Sequence, residues 1–334
     1  MAPLASELSA RRIVAVVGPT ASGKSQLAID VARRLDGEVV SCDSVQVYRS
    51  LDIGSGKPTL QERAGVPHHL IDILDLDEGM NAAFFAARAA AAIEEIGSRG
   101  RLPIVTGGTG LYLTALLKGL FEEGDVDTSI RGRVEALAER HGLPRLHRLL
   151  CARDPEYAAK TQPSDRIRVV RALEVLFGQG RPFSTAHRDR RPAFGGEALI
   201  VGLHPSREEL RKRVGTRVEG MLALGLVDET RRASAGGPAG APLPRPLGAI
   251  GYREVAARLA QRPLDAKGDG ELLRAIVTST MQYAKRQMTY FRRQFEVEWF
   301  SDRDAALERV ERWIWEPGNG EARVNERVGP AERN

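Results

Sequence analysis

Residues Gly18, Pro19, Thr20, Ala21, Ser22, Gly23, Lys24 and Ser25 have the spacing G-x-x-x-x-G-K-[ST] of a phosphate-binding loop. Such a loop turns backbone N–H groups toward an anion, and the helix that follows aims its positive end at the same point. Lys24 adds a full charge, and the Ser25 hydroxyl suits Mg²⁺. The flanks have the right character. Ile13 to Val17 is a short β-branched run of buried-strand type, and Leu27, Val31 and Leu35 recur on one helical face. Strand, glycine-rich turn and helix in this order separate a working loop from a chance match. The implied ligand is a polyphosphate. Nothing in the loop specifies ATP.

Two further places could do chemistry. Glu38 to Cys42 reads as a strand that ends at Asp43. A carboxylate there could ligate Mg²⁺ or take a proton from a nucleophile; it could equally cap the next helix. A third strand, Leu102 to Thr106, runs into Gly107, Gly108, Thr109 and Gly110. Many nucleotide-hydrolysing P-loop proteins carry an Mg²⁺-holding aspartate at such a strand end. Its absence here argues against a hydrolytic motor. The glycines let a substrate approach the backbone closely, or simply make a tight turn.

The elements that must position these residues alternate. A helix is expected over Asn81 to Arg99, and another carries Leu111, Leu113, Leu116 and Leu117. Alternation at this spacing predicts an α/β fold, a P-loop NTPase-like parallel sheet flanked by helices, with ligands at the carboxyl ends of the strands. From about Phe121 to Pro192 strand-like runs give way to charged helical segments, Arg131–His141 and Ser164–Leu176 among them. The domain reading is a flexible N-terminus (1–10), a core (11–120 and 198–316), a helical insertion (121–197) and a disordered tail (317–334). In the second part of the core, Ala198 to Leu203 returns as a strand. Helices follow over Arg207–Gly225 and Val227–Ala233, then a loop over 234–248, a long helix over Glu271–Phe295 and a last one over Asp304–Trp315. The long helix is expected to bury Leu273, Val277, Ala284, Met288, Phe291 and Phe295.

Composition narrows the class. A chain of 334 residues, 42% hydrophobic and 28% charged, is ordinary for a globular protein with a sizeable core. The net charge of +5 is compatible with nucleic acid. Two cysteines are too few for a disulfide framework, and no apolar run approaches a membrane span. The first twelve residues lack the apolar stretch of a signal peptide, so a cytoplasmic protein without membrane contact is expected. Cations cluster in two places: Arg166, Arg168 and Arg171 in the insertion, and Arg274, Lys285, Arg286, Arg292 and Arg293 on the long helix. Two such clusters favour a long polyanion over merely solvated faces. His68 and His69 have no companions that complete a metal set, and Cys42 reads as a small buried residue.

Taken together, the motifs resemble the bacterial tRNA dimethylallyltransferases, also called tRNA isopentenylpyrophosphate transferases. The likeness runs from Ile13 to Trp299 and is carried by the 18–25 loop, by Asp43 to Arg49, Asp52 to Gly54 and Lys57 to Thr59, and by Gly65 to Asp72. It continues through Gly107 to Tyr112, Asp165–Arg166, Arg171 to Val175, Gly251–Tyr252 and Ala284 to Gln287. Each motif is weak alone; their order and spacing are specific. The resemblance implies transfer of a dimethylallyl group from dimethylallyl diphosphate to N6 of adenosine 37, beside the anticodon, in tRNAs reading codons that begin with U. The 18–25 loop would then hold a diphosphate leaving group, with Mg²⁺ at Ser25. By position, Asp43 matches the family's general base, Thr109 its hydroxyl where adenine meets donor, and Arg217 its arginine near the diphosphate. Contacts to the anticodon stem-loop map onto Ser44, Val45 and Gln46 besides Asp43 and Thr109. They map onto Arg131, Ile167, Arg168, Val169, Val170 and Arg171 in the insertion. Two further segments are Gly248, Ala249, Ile250, Gly251, Tyr252 and Arg253, and then Gln282, Lys285, Arg286 and Gln287. A monomer is expected.

The chain departs from the family pattern at Ser55–Gly56, where Thr-Ala is usual, and at Ser164, Gly248, Tyr290 and Cys42. Three other readings remain: an adenylate isopentenyltransferase acting on AMP or ATP, a small-molecule P-loop kinase, and a non-catalytic RNA-binding protein. The first two leave the basic clusters unused, and the third leaves the loop and Asp43 unused.

Overall fold

Six strands lie side by side in one parallel sheet, in the order β3-β2-β4-β1-β5-β6. They are β1 (Arg12–Val17), β2 (Gly37–Ser41), β3 (His68–His69), β4 (Leu102–Gly107), β5 (Glu197–Leu203) and β6 (Glu298–Phe300). The computed structural model describes residues 12–120, 128–186, 190–235, 243–261, 265 and 269–315. The expected flexible N-terminus and disordered tail lie outside the described residues. The helices are α1 (Lys24–Arg34), α2 (Leu60–Arg63), α3 (Ala82–Ser98), α4 (Gly110–Lys118), α5 (Thr128–His141), α6 (Leu143–Arg153), α7 (Pro155–Ala158), α8 (Arg166–Gln179), α9 (Phe183–Ala186), α10 (Arg207–Ala223), α11 (Leu226–Ala235), α12 (Tyr252–Leu259), α13 (Gly270–Gln294) and α14 (Arg303–Trp315). None is long and apolar enough to cross a membrane.

The central strands β1, β2 and β4 are buried at every position, as strands covered on both faces must be. Register sets Val14 beside Ile104 on one side and Leu199 on the other, so β1 lies at the centre. One apolar cluster joins strand residues to Leu27 and Val31 of α1 and to Ala306 and Val310 of α14. A second joins Val47, Tyr48 and Leu51 to Val214, Val218, Leu226, Tyr252 and Ile276 on the helices after β5. Helix α3 starts where the Asn81 side chain accepts from Phe84 N–H, one residue inside the expected boundary.

Three expectations are corrected. His68–His69 and Glu298–Phe300 form edge strands, too short to show any period. The loop expected over 234–248 contains a 3₁₀ turn at Arg245–Gly248, while its residues 236–242 lie outside the described residues. Helix α13 buries Leu272, Ile276, Thr280, Ala284, Gln287 and Phe291, whereas Leu273, Val277, Met288 and Phe295 are only half-buried. The apolar period places the face one residue off because Thr280 and Gln287, both polar, sit at its centre.

The chain divides into two compact units, with breaks after Tyr112 and after Gly195. The unit spanning 113–195 has its own core, in which Ile130 and Val134 of α5 meet Leu146 and Leu150 of α6 and Val169 and Leu173 of α8. The buried Asp154 carboxylate ties two of its turns, accepting from Tyr157 N–H at 3.1 Å and from Ser184 N–H at 2.8 Å. The arginines of α8 are paired: Arg166 with Glu135 and Glu139, Arg168 with Asp165, and Arg171 with Glu174.

At the amino end of β2, Glu38 is 2% exposed and receives His69 at 2.6 Å, Arg99 at 2.8 Å and Arg101 at 3.0 Å. This explains His69 without a metal. Burial raises the Glu38 pKa, but the hydrogen bonds from His69, Arg99 and Arg101 outweigh it and bring the carboxyl from 4.5 down to about 2. The stabilisation is therefore complete above pH 4.5 and is lost as pH falls toward 2. Glu38→Gln removes the counter-charge shared by His69, Arg99 and Arg101 and should lower stability in urea unfolding, by less than for a fully buried pair because both arginines are partly exposed. Its stability should also depend less steeply on pH below 4.5 than that of the parent protein.

Candidate active site

The 18–25 loop joins β1 to α1 through backbone that few residues adopt. Gly23 caps α1 at φ 96° and Ala21 stands at φ 67°. A hydrogen bond from Ser22 N–H to Pro19 C=O, 3.1 Å, closes the loop. No side chain caps α1 and no acid occupies its first turn. Its first N–H groups are thus left for an anion.

Two long side chains brace this loop. Gln287 of α13 is 4% exposed; its Oε1 accepts from Thr20 N–H at 3.0 Å and its Nε2 donates to Gly108 C=O at 2.9 Å. Arg213 of α10 donates to Ser22 C=O at 3.0 Å. The Gly107–Gly108 turn makes room for the protein's own groups. A Cβ on Gly107 would stand 2.0 Å from Cys42 O, and one on Gly108 2.1 Å from Gln287 Nε2. At Gly108 the space is taken by Gln287, whereas Gly107 still lines the cavity that opens beside it.

A cavity of about 350 Å³ opens over the carboxyl edge of the sheet. Thr20, Lys24 and Ser25 line it from the loop, Asp43 to Gln46 from the end of β2, and Arg217 from α10. Val214, Val218, Met221, Ala249, Ile250 and Ile276 give it an apolar wall, and Tyr283 and Arg286 of α13 complete it. Its size suits a small molecule with a charged end and a short apolar end. Asp43 Oδ1 accepts from Val45 N–H at 2.8 Å and Gln46 N–H at 3.3 Å. Its Oδ2 has no partner among the described residues. The carboxylate caps a turn, not a helix, and keeps one oxygen for a ligand.

The cations repel one another. Burial, then Arg217, pushes the Lys24 ammonium from 10.5 down to about 8, against the pull of Asp43. Burial also lowers Arg217, with Asp43 and Glu62 opposing. Tyr283, buried and facing Asp43, is pushed up to about 12, so its hydroxyl keeps its proton. The site is electropositive and under-neutralised, which suits a dianion or trianion.

The remaining expected residues are distributed unevenly. Gly248, Ala249, Ile250, Gly251 and Arg253 reach the cavity, as do Ser44, Val45 and Gln46. Thr109 is not among its walls; its N–H bonds Cys42 C=O at 3.3 Å, and its C=O accepts from the Cys42 thiol at 3.7 Å. Val169, Val170, Tyr252 and Gln287 are at most 4% exposed, so their side chains are removed from any surface contact with RNA. Arg131, Ile167, Arg168, Gln282, Lys285 and Arg286 are exposed. Sequence reasoning missed Arg213, and it missed that Tyr283, within the matched segment from Gln282 to Thr289, stands in the cavity wall. Arg213 stands one helical turn before Arg217, and Tyr283 one turn before Gln287, which is the spacing that could have found them.

Residues 46–294 match the family model for IPP transferase. The chain is 46% identical over 308 residues to the tRNA dimethylallyltransferase of Anaeromyxobacter dehalogenans strain 2CP-C, covering 90% of this chain and 99% of that protein. It is 47% identical over 293 residues to that of Geobacter metallireducens, covering 86% and 92%. The crystal structure of the tRNA isopentenylpyrophosphate transferase of Bacillus halodurans superposes with a TM-score of 0.64 at 37% identity, over 91% of this chain and 95% of that one. A eukaryotic dimethylallyltransferase acting on tRNA superposes with a TM-score of 0.73 at 27% identity, over 94% and 77%.

A polyanion bound beside Lys24, which burial lowers to about 8, would restore its charge, so binding would take up a proton above that pH. Affinity for a polyphosphate ligand should fall as pH rises past 8, approaching about tenfold per pH unit. Calorimetry against Lys24→Arg, which stays charged, cancels the ionisation of the ligand itself. Parallel pH profiles for the two proteins would contradict this.

Proposed function

Since the chain belongs to the IPP transferase family, the tRNA dimethylallyltransferases, we infer that it transfers a dimethylallyl group from dimethylallyl diphosphate to tRNA. The acceptor is N6 of adenosine 37 in tRNAs reading codons that begin with U, and the products are N6-dimethylallyladenosine and diphosphate. The observation that carries this reading is the shared cavity. It sets an uncapped helix start and two repelling cations beside an apolar wall, with a carboxylate oxygen open between them.

The diphosphate lies against the 18–25 loop, Lys24 and Arg217, and the five-carbon chain against Val214, Val218 and Ile276. The adenine amine is a weak nucleophile because its lone pair is delocalised into the ring. It attacks C1 of the donor, the C1–O bond breaks, and both electrons leave with the diphosphate. Asp43 Oδ2 takes the N6 proton. Lys24, Arg217 and the helix N-terminus stabilise the charge that grows on the leaving group. Extraction of the base from its stack brings the amine to the cavity.

A magnesium ion fits the donor set. Among the described residues no group of three or more His, Cys, Asp or Glu forms a cage, whereas the Ser25 hydroxyl faces the cavity. Hydroxyl, substrate phosphates and water are the ligands Mg²⁺ accepts, and the ion would neutralise part of the diphosphate charge.

Helix α13 offers the tRNA its cations. Lys285 and Arg293 are exposed and make no ion pair among the described residues, unlike the arginines of α8. Lys285→Ala with Arg293→Ala should therefore flatten the slope of log K for tRNA against log salt by about 1.4–1.8. Arg166→Ala, whose charge is balanced by Glu135 and Glu139, should leave that slope near its starting value.

Labelled dimethylallyl diphosphate with Mg²⁺ and either bulk tRNA or AMP tests the assignment. Label is expected on tRNA alone; label on AMP, or phosphoryl transfer from ATP as the main activity, overturns it. Asp43→Asn keeps the turn, because its amide oxygen still accepts from Val45 N–H, but it cannot serve as the base. Its single-turnover rate should fall about 10²–10⁴-fold, with tRNA affinity changing far less because many other contacts hold the tRNA.

A further inference from the structure

Among the described residues the Arg217 guanidinium makes neither a hydrogen bond nor an ion pair; Arg286, the other cavity cation without one, lies over the Tyr283 ring instead. The position of Arg217 comes from packing. Gly56 stands at φ 59°, and a Cβ there would lie 1.8 Å from Arg217 Nη2. The guanidinium thus rests directly on the Gly56 Cα.

The turn that carries Gly56 is held from beneath by a buried carboxylate. Glu229 of α11 is 4% exposed. Its Oε2 accepts from the N–H groups of Asp52 and Ile53, both at 2.9 Å, and its Oε1 from Gly54 N–H at 3.0 Å. The Tyr252 hydroxyl donates to the same Oε1 at 2.6 Å and accepts from Ser55 N–H at 3.1 Å. Four consecutive N–H groups therefore point at one Glu–Tyr pair. Gly54 permits this, since a Cβ would stand 2.5 Å from the Tyr252 ring. On the other side, Gln46 Nε2 donates to Gly56 C=O at 3.2 Å while its Oε1 accepts from Ser41 at 2.9 Å. Lys57, its side chain 5% exposed, closes the turn by donating to Tyr48 C=O, Asp52 and Asp72.

We propose that Glu229, seconded by Tyr252, is a positioning residue for the diphosphate end of the cavity: it folds residues 52–56 into the seat on which Arg217 rests. A surface loop of this composition has no reason to keep one shape, and a long arginine held by no bond samples many rotamers. A buried anion that collects successive N–H groups fixes the backbone. The guanidinium then meets the anion without first being ordered. Tyr252 acts from inside the protein and touches neither substrate.

The proposal rests on the reading that this pocket takes the donor's diphosphate, and a double-mutant cycle separates the two. Glu229→Gln, Arg217→Ala and the double variant are assayed for affinity to inorganic diphosphate, single-turnover prenyl transfer and tRNA affinity. Glu229→Gln keeps the shape but sets an NH₂ against backbone N–H groups. It should weaken diphosphate binding and slow transfer at least about tenfold, the cost of a buried hydrogen bond to a charged group, and leave tRNA affinity unchanged. In the Arg217→Ala background the same change should cost less than about twofold, because its effect runs through Arg217. Additive losses, a parallel loss of tRNA affinity or a parental rate would overturn the proposal. If Glu229→Gln does not fold, Tyr252→Phe, which removes one hydroxyl, is put through the same cycle with the same expectations. Failure of the parent protein to bind inorganic diphosphate would instead defeat the functional reading.

Discussion

The confinement of two cations in one buried cavity is the constraint on which the rest of the structure depends. Burial, and then the Arg217 charge, destabilises the Lys24 ammonium; burial destabilises Arg217 too, and Asp43 opposes both shifts. Such an arrangement persists only if other parts of the fold over-determine it. Here they do. The loop that carries Lys24 is pinned by Gln287 at Thr20 and by Arg213 at Ser22, and the turn under Arg217 is gripped by Glu229 and Tyr252. The same electrostatics would become favourable beside a polyanion.

The braces come from distant parts of the chain. Residues 20 and 287, 22 and 213, and 54 and 229 meet because a parallel sheet gathers its carboxyl ends at one edge while the helices after β5 pack over that edge. Helix α13 does two jobs at once. Its buried face carries Gln287 to the loop, and its exposed sides carry Lys285 and Arg293, which make no ion pair among the described residues. The arginines of α8 are engaged by local carboxylates, which makes them weaker candidates for counterion release than their number suggests.

Glycine serves the site by subtraction. Gly108 admits the Gln287 amide, and Gly56 admits the Arg217 guanidinium. In both cases the absent Cβ lets the protein's own polar side chain pack against the backbone.

Much of this was legible in the chain. The 18–25 loop, the four longer strands, the long helix and Asp43 at a strand end follow from local rules: β-branched runs, helical period and turn glycines. Those rules act between near neighbours, so one sequence suffices to read them. They could not see the edge strands at His68 and Glu298, which are too short to have a period. They misplaced the buried face of α13, because a period in hydrophobicity cannot anticipate a buried glutamine. Nor could they distinguish Arg217, which no bond holds among the described residues, from Arg166, which two carboxylates hold, since pairing is decided across helices. The residue types able to bind and react were set by sequence. Which of them face the cavity, which brace it and which are neutralised was decided only by tertiary packing, because buried polar groups must find partners wherever the fold brings them.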